Sequence, residues 1–187
     1  MSMFEEPSPG NLLDLTSLSN TMRKIWVDYT TWTTALINAI LFGAGDQVAI
    51  RERIHNSTDE LVSLFSQFYG KEAAGRIRPL LRKYGEALAL LIKAYSKKDT
   101  VAIPDLRQQM YALADEFSQL LSQLNPNLDR VTLQVMLYEM INNTEDQISR
   151  TLSRNYEKSI AAYDALLDQI YRFADELTLG LQRQFRS

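Results

Sequence analysis

The sequence predicts an all-α fold, an antiparallel up-and-down helical bundle of about six helices. Three observations carry that reading. Gly and Pro number only seven and five in 187 residues, and most of them gather into a few short clusters that leave helix-length segments between. Within those segments apolar residues recur at alternating spacings of four and three, the period of one helix face. Strict period-two alternation is sustained nowhere, so strands are not needed.

The stripes come in chain order. Met22, Ile25, Tyr29, Trp32 and Leu36 mark a first helix, and Ile54, Leu61, Phe65 and Phe68 a second. Ile77, Leu81, Tyr84, Leu88, Leu91 and Tyr95 mark a third. The fourth follows Leu106, Met110, Leu113, Phe117, Leu120 and Leu124, the fifth Leu133, Leu137, Met140, Ile148 and Leu152. The sixth is the longest series: Tyr156, Ile160, Tyr163, Leu167, Ile170, Ala174, Leu177 and Leu181.

Punctuation sets the boundaries. Asp46 is placed to cap the second helix after Gly43-Ala44-Gly45. Pro104 suits the first turn of the fourth, where a missing amide proton costs nothing. Asn125-Pro126 forces a turn, because Pro disfavours helical geometry in the residue before it. Pro79 leaves two alternatives: a third helix that begins near Gly75 with Pro79 in its first turn, or one that starts at Lys71 and kinks. A continuous rod from Asp129 would run to about 80 Å at 1.5 Å per residue, too long for one small domain to cover. The fifth and sixth helices are therefore separated at Ser153 to Asn155. Residues 1–17 read as a flexible arm and 18–187 as a single bundle domain.

Composition excludes several chemistries. With no Cys, the chain cannot build disulfides, thiolate zinc sites, iron–sulfur clusters or a cysteine nucleophile. With His55 as its only histidine it cannot supply paired Glu-x-x-His di-iron motifs or the His-Glu-x-x-His zinc motif. The net charge of -3 is too balanced to point to nucleic acid or an anionic membrane. The most apolar stretch, Ala35 to Phe42, falls far short of the roughly 20 residues that span a bilayer. The opening residues carry Glu5, Glu6, Pro7 and Pro9 and no apolar run, so no secretory signal is read and a cytoplasmic location is expected.

Several short patterns, among them Trp32-Thr33, Tyr69-Gly70, Ala114-Asp115, Asn125-Pro126, Met136-Leu137-Tyr138, Ala174-Asp175 and Gln184-Phe185, resemble an uncharacterised family of mainly Firmicute helical proteins. The likeness runs from about Trp26 to Phe185. Some members carry an acetylglutamate kinase label, but this chain has no Gly-rich loop after a strand on which a kinase nucleotide site is built. The resemblance implies His where this chain has Tyr29, Tyr84 and Met140, and Arg where it has Thr34. An interior metal or haem site in relatives would then be degenerate here, since two phenols and a thioether are a poor set for most divalent ions.

Two sites follow as expectations. Tyr29, Trp32, Thr34, Tyr84 and Met140, with Trp26, Tyr163 and Phe117 nearby, form a candidate ligand-binding set for a flat apolar molecule inside the bundle. Thr30, Thr31, Thr33 and Thr34 either satisfy carbonyls one turn earlier or line the same space. Arg78, Arg82, Lys93 and Lys97 point away from the Tyr84 stripe and form a candidate anion-binding face, unless Arg82 simply pairs with Glu86. Glu157, Asp164, Asp168 and Asp175 form an acidic row on the sixth helix that calls for a cation opposite, most simply Arg or Lys of a neighbouring helix. His55 is assigned a surface or helix-end place and no role.

The leading expectation is a non-enzymatic bundle that binds a protein partner, a second copy of itself or a small apolar ligand, with no cofactor and no membrane or nucleic-acid partner. The alternatives are a metal-dependent enzyme or sensor with a degenerate interior site, and an anion or nucleic-acid binder that uses the third helix.

Overall fold

The computed structural model describes residues 14–185, which fold as α1 (Leu15–Phe42), α2 (Gln47–Gly75), α3 (Ile77–Lys97), α4 (Ala102–Leu124), α5 (Arg130–Leu152) and α6 (Tyr156–Phe185). Each helix packs on the next through a short turn, and α6 returns to α1 and closes the bundle. This is the antiparallel all-α arrangement that the apolar stripes predict. α1 also touches α3 and α5, so it runs along the inside of the assembly. That placement explains why its buried positions, Met22, Ile25, Trp26, Tyr29, Thr30, Thr33, Leu36 and Ile37, cover more than one stripe.

Local chemistry fixes the ends. The Asp14 carboxylate accepts the Ser17 amide and caps α1, and Asp129 does the same for Thr132 at the start of α5. Asp46 makes no capping hydrogen bond; Gln47 ties this corner instead, donating to the carbonyls of Ala39 and Ala44. α1 begins at Leu15, so residues 15–17 are helix rather than arm, while 1–13 lie outside the described residues. Pro79 falls in the first turn of α3 and Pro104 in the first turn of α4, each where no amide donor is needed. The chain between Tyr69 and Lys71 turns at Gly70, whose φ of 77° and ψ of 163° belong to a region open only to a residue without Cβ. The break before α6 falls at Ser153 to Asn155, with Arg154 left-handed at φ 59°.

The α6 stripe departs from the expected one in its first half. Tyr156 and Ile160 are 51% and 62% exposed, and the buried positions there are Ser159, Ala162 and Leu166. From Ile170 onward the predicted residues Ala174, Leu177 and Leu181 do face inward. Each inward residue there stands one position before the expected one, Ser159 for Ile160, Ala162 for Tyr163 and Leu166 for Leu167, because α1 and α5, the helices that α6 packs on, set which side is covered.

The apolar interior divides into three clusters. The largest joins Met22, Trp26, Phe65, Phe117, Phe173 and Leu177 across α1, α2, α4 and α6. A second gathers Ile37, Leu88, Met110, Leu113, Ile141 and Ile148. A third holds Tyr29, Leu36, Ile50, Ile54 and Ala89.

Candidate functional site

A cavity of about 70 Å³ lies where these three clusters meet. α1 contributes Trp26, Tyr29, Thr30 and Thr33, α3 Leu81, Tyr84 and Leu88, and α4 Leu113, Ala114 and Phe117. α5 adds Met140, Ile141 and Thr144, and α6 adds Leu166 and Ile170. Within each helix these residues fall on one face, at spacings of one, three, four or seven, so five helices each present one side to a single space. Small side chains at Thr33 and Ala114 leave that space unfilled between the large rings.

The wall is apolar with few polar atoms. The Tyr29 hydroxyl and the Trp26 Nε1 are buried and find no hydrogen-bond partner among the described residues. Two other buried polar atoms share that condition, on Arg51 and Gln182, and neither residue lines the cavity. Burial raises the Tyr29 phenol far above the ordinary tyrosine range. Tyr84 is raised as well: burial comes first, then the phenol of Tyr29 and the carboxylate of Glu145 oppose its ionisation. The Thr144 hydroxyl is turned back to its own helix, donating to the Met140 carbonyl at 2.8 Å. Among the described residues no charged side chain lines the cavity.

Three of the five residues assigned to the ligand set, Tyr29, Tyr84 and Met140, converge here, together with Trp26, Phe117, Thr30 and Thr33. Trp32 and Thr34 do not. Trp32 lies one residue short of the inward Thr33, is 36% exposed, and takes the Arg53 guanidinium over its ring at 6.0 Å. Thr34 is half-buried on the opposite flank, where Gln147 donates to its hydroxyl at 3.3 Å beside a shallow groove that includes Tyr156, Ile160 and Tyr163. Tyr163 hydrogen-bonds Thr31 at the α1–α6 seam.

The basic face of α3 is divided. Arg78 donates to Asp59 of α2 at 2.6 Å and Arg82 approaches the same carboxylate at 3.6 Å, in place of the Arg82–Glu86 pair. Lys93 and Lys97 stand exposed on the following turns. In the acidic row of α6, Asp175 receives two hydrogen bonds from Arg23 of α1, each 2.7 Å, while Glu157, Asp164 and Asp168 face solvent. Among the described residues no group of three or more His, Asp or Glu is placed to hold a metal ion. His55 is half-buried in the middle of α2 rather than at an end, 3.9 Å from Glu52.

The short sequence patterns meet as structural joints. Asn125, fully buried, donates to the Tyr69 hydroxyl, which in turn donates to Gln184, and Gln184 donates to the Leu124 carbonyl. Phe185 closes this joint against Phe68 and Tyr69, with ring centroids 5.4 Å apart in both pairs. Tyr138 donates to Asp115 across α4 and α5. Sequence reading missed one polar cluster: Glu145 is buried in α5 and accepts from Arg107 at 2.9 Å and Tyr95 at 3.3 Å. The signal was present, because Glu145 lies four residues after Ile141 and three before Ile148, on their inward face.

The chain matches no protein-family model, no curated protein and no solved structure.

Proposed function

We propose that this protein is a binding protein, not an enzyme, which takes a small apolar molecule into the interior of its helical bundle. The observation that carries the reading is the apolar cavity built jointly by α1, α3, α4, α5 and α6. Interiors of this kind normally close to crystal-like density, so a space shared by five helices calls for an occupant or a tolerated loss of contacts. An apolar cavity of about 150 Å³ takes up benzene or xenon. At about 70 Å³ this one suits a molecule of roughly four heavy atoms. The lining supplies neither imidazole nor carboxylate, which favours an apolar guest over the metal-centre alternative.

Xenon tests the reading directly, because it binds apolar space without needing a specific contact. Xenon NMR of the full chain should show saturable binding, and Ala114→Leu, which extends a side chain into the cavity, should abolish it. A xenon signal that never saturates, or that Ala114→Leu leaves unchanged, would refute the proposal.

A further inference from the structure

We infer that the apolar guest enters and leaves the cavity through the seam between α3 and α4, with Leu80 as the door. The inference rests on the cavity being a ligand site and adds the route to it.

Three observations meet at this seam. Leu80 lines the cavity and also lines a groove of about 320 Å³ on the outside of the bundle, and it is the one residue common to the two. It is only partly buried and packs on both of the larger apolar clusters, so it stands between interior and surface. Around it the groove is walled by exposed side chains, among them Lys83 of α3 and Glu116 and Gln119 of α4.

The second observation is what fastens the other seams. Beside Leu137 and Ala114, Tyr138 of α5 donates to Asp115 of α4 at 2.6 Å. Beside Thr144 and Ile170, Asn143 of α5 donates to Gln169 of α6 at 2.7 Å. Beside Thr30, Thr31 of α1 and Tyr163 of α6 share a hydrogen bond of 3.2 Å. Each of these ties lies one residue from the cavity wall.

The third is that α3 and α4 have no such tie beside Leu80. Lys83 and Glu116 both line the outer groove, yet among the described residues they form no ion pair with each other. Arg76 reaches Gln123 across the groove only at 3.5 Å, beyond the distance of a good hydrogen bond. The firm tie of this seam is at its far end, where Arg107 donates to Tyr95 at 3.1 Å. A closely packed interior admits a guest only where its wall parts, and it parts most easily where the fewest bonds must break. Fastened at one end and loose at the other, the α3–α4 seam opens at Leu80.

The rate at which xenon passes between cavity and water, read by saturation-transfer NMR of the full chain, tests the route. Leu80→Ala should speed exchange about tenfold, while Leu137→Ala, an equal truncation of the wall beside a fastened seam, should stay within about threefold. The chain has no cysteine, so Lys83→Cys combined with Glu116→Cys puts its only two thiols on opposite sides of the groove. Bridging them with a short bis-maleimide should slow exchange about tenfold and leave xenon affinity within about twofold, since neither residue lines the cavity. Thermal melts of each protein confirm that it remains folded. If Leu80→Ala speeds exchange no more than Leu137→Ala, or if the bridged protein exchanges as fast as the unbridged one, the entrance is overturned and the cavity reading stands. If xenon binds none of these proteins, the parent chain included, both are overturned.

Discussion

Tyr29 shows at the scale of one residue how position and chemistry conflict. Its ring belongs in the core, but its hydroxyl is taken from water and given nothing in return. Tyr29→Phe removes that hydroxyl and keeps the ring, so the free protein should gain about 1 kcal/mol in urea unfolding. A loss of stability would show that the oxygen has a partner after all. Tyr69 is the contrasting case. Its hydroxyl is engaged by Asn125, which eases ionisation slightly, yet burial dominates and pushes the phenol up to about 12 from an ordinary 10.0. A native value above the unfolded one means that the neutral form is favoured by folding. The resulting stability is complete below pH 10.0 and declines as pH rises toward about 12. Urea midpoints measured across that window should fall less steeply for Tyr69→Phe than for the parent chain. Equal slopes would remove Tyr69 from the account.

At the scale of the element, α6 depends on what it lacks. A Cβ at Gly180 would meet Leu128 Cδ2 at 2.5 Å, Leu128 Cγ at 2.7 Å and Asn125 Nδ2 at 3.2 Å. Leu128 and Asn125 are both almost wholly buried, so neither side chain has room to swing away. Ala favours a helix over Gly by about 1 kcal/mol, whereas overpacking costs roughly 1 to 3 kcal/mol, and here the second effect governs. Gly180→Ala should therefore lower the thermal midpoint, and a higher one would mean that the turn between α4 and α5 yields easily. The helix boundaries show which signals a sequence carries plainly. Pro79, Pro104 and Asn125-Pro126 act through their own backbones, so their places could be read without knowing any neighbour. The exposed half of α6 could not be read that way. Ile160 keeps the spacing of the buried stripe, and only the position of α1 and α5 decides that Ala162 and Leu166 face them instead. The same holds for Asp46, an apt cap by type that Gln47 displaces by reaching the Ala39 carbonyl.

At the scale of the molecule, the bundle was legible and the site only in part. Six stripes and their breaks were enough to give an all-helical architecture, because amphipathic period is a local property of the chain. Tyr29, Tyr84 and Met140 could be placed on inward stripes, and they do reach one cavity. Trp32 was placed on the Tyr29 stripe by its spacing and Thr34 was added through the family resemblance, yet a helix turns by about 100° per residue, and one step from the inward Thr33 carries each out of the wall. The partners of Tyr84 on α4 and α5, Ala114 and Ile141, had no local mark, since an alanine beside a void looks like any other alanine. Charge was similarly opaque. Arg78 and Arg82 read as a free basic face until α2 brings Asp59 against them.

The joint between the first helix and the last has a consequence for how the protein is made. Arg23 and Asp175 are 152 positions apart, and Trp26 packs edge-on against Phe173 at 5.0 Å. A polypeptide emerging from the ribosome amino end first can cover one side of α1 with α2 early, but must leave the side that meets α6 open until nearly all of these helices have been synthesised. That side, which holds Arg23 and Trp26, waits longest for its shelter, and it is there that a chaperone would find its handhold.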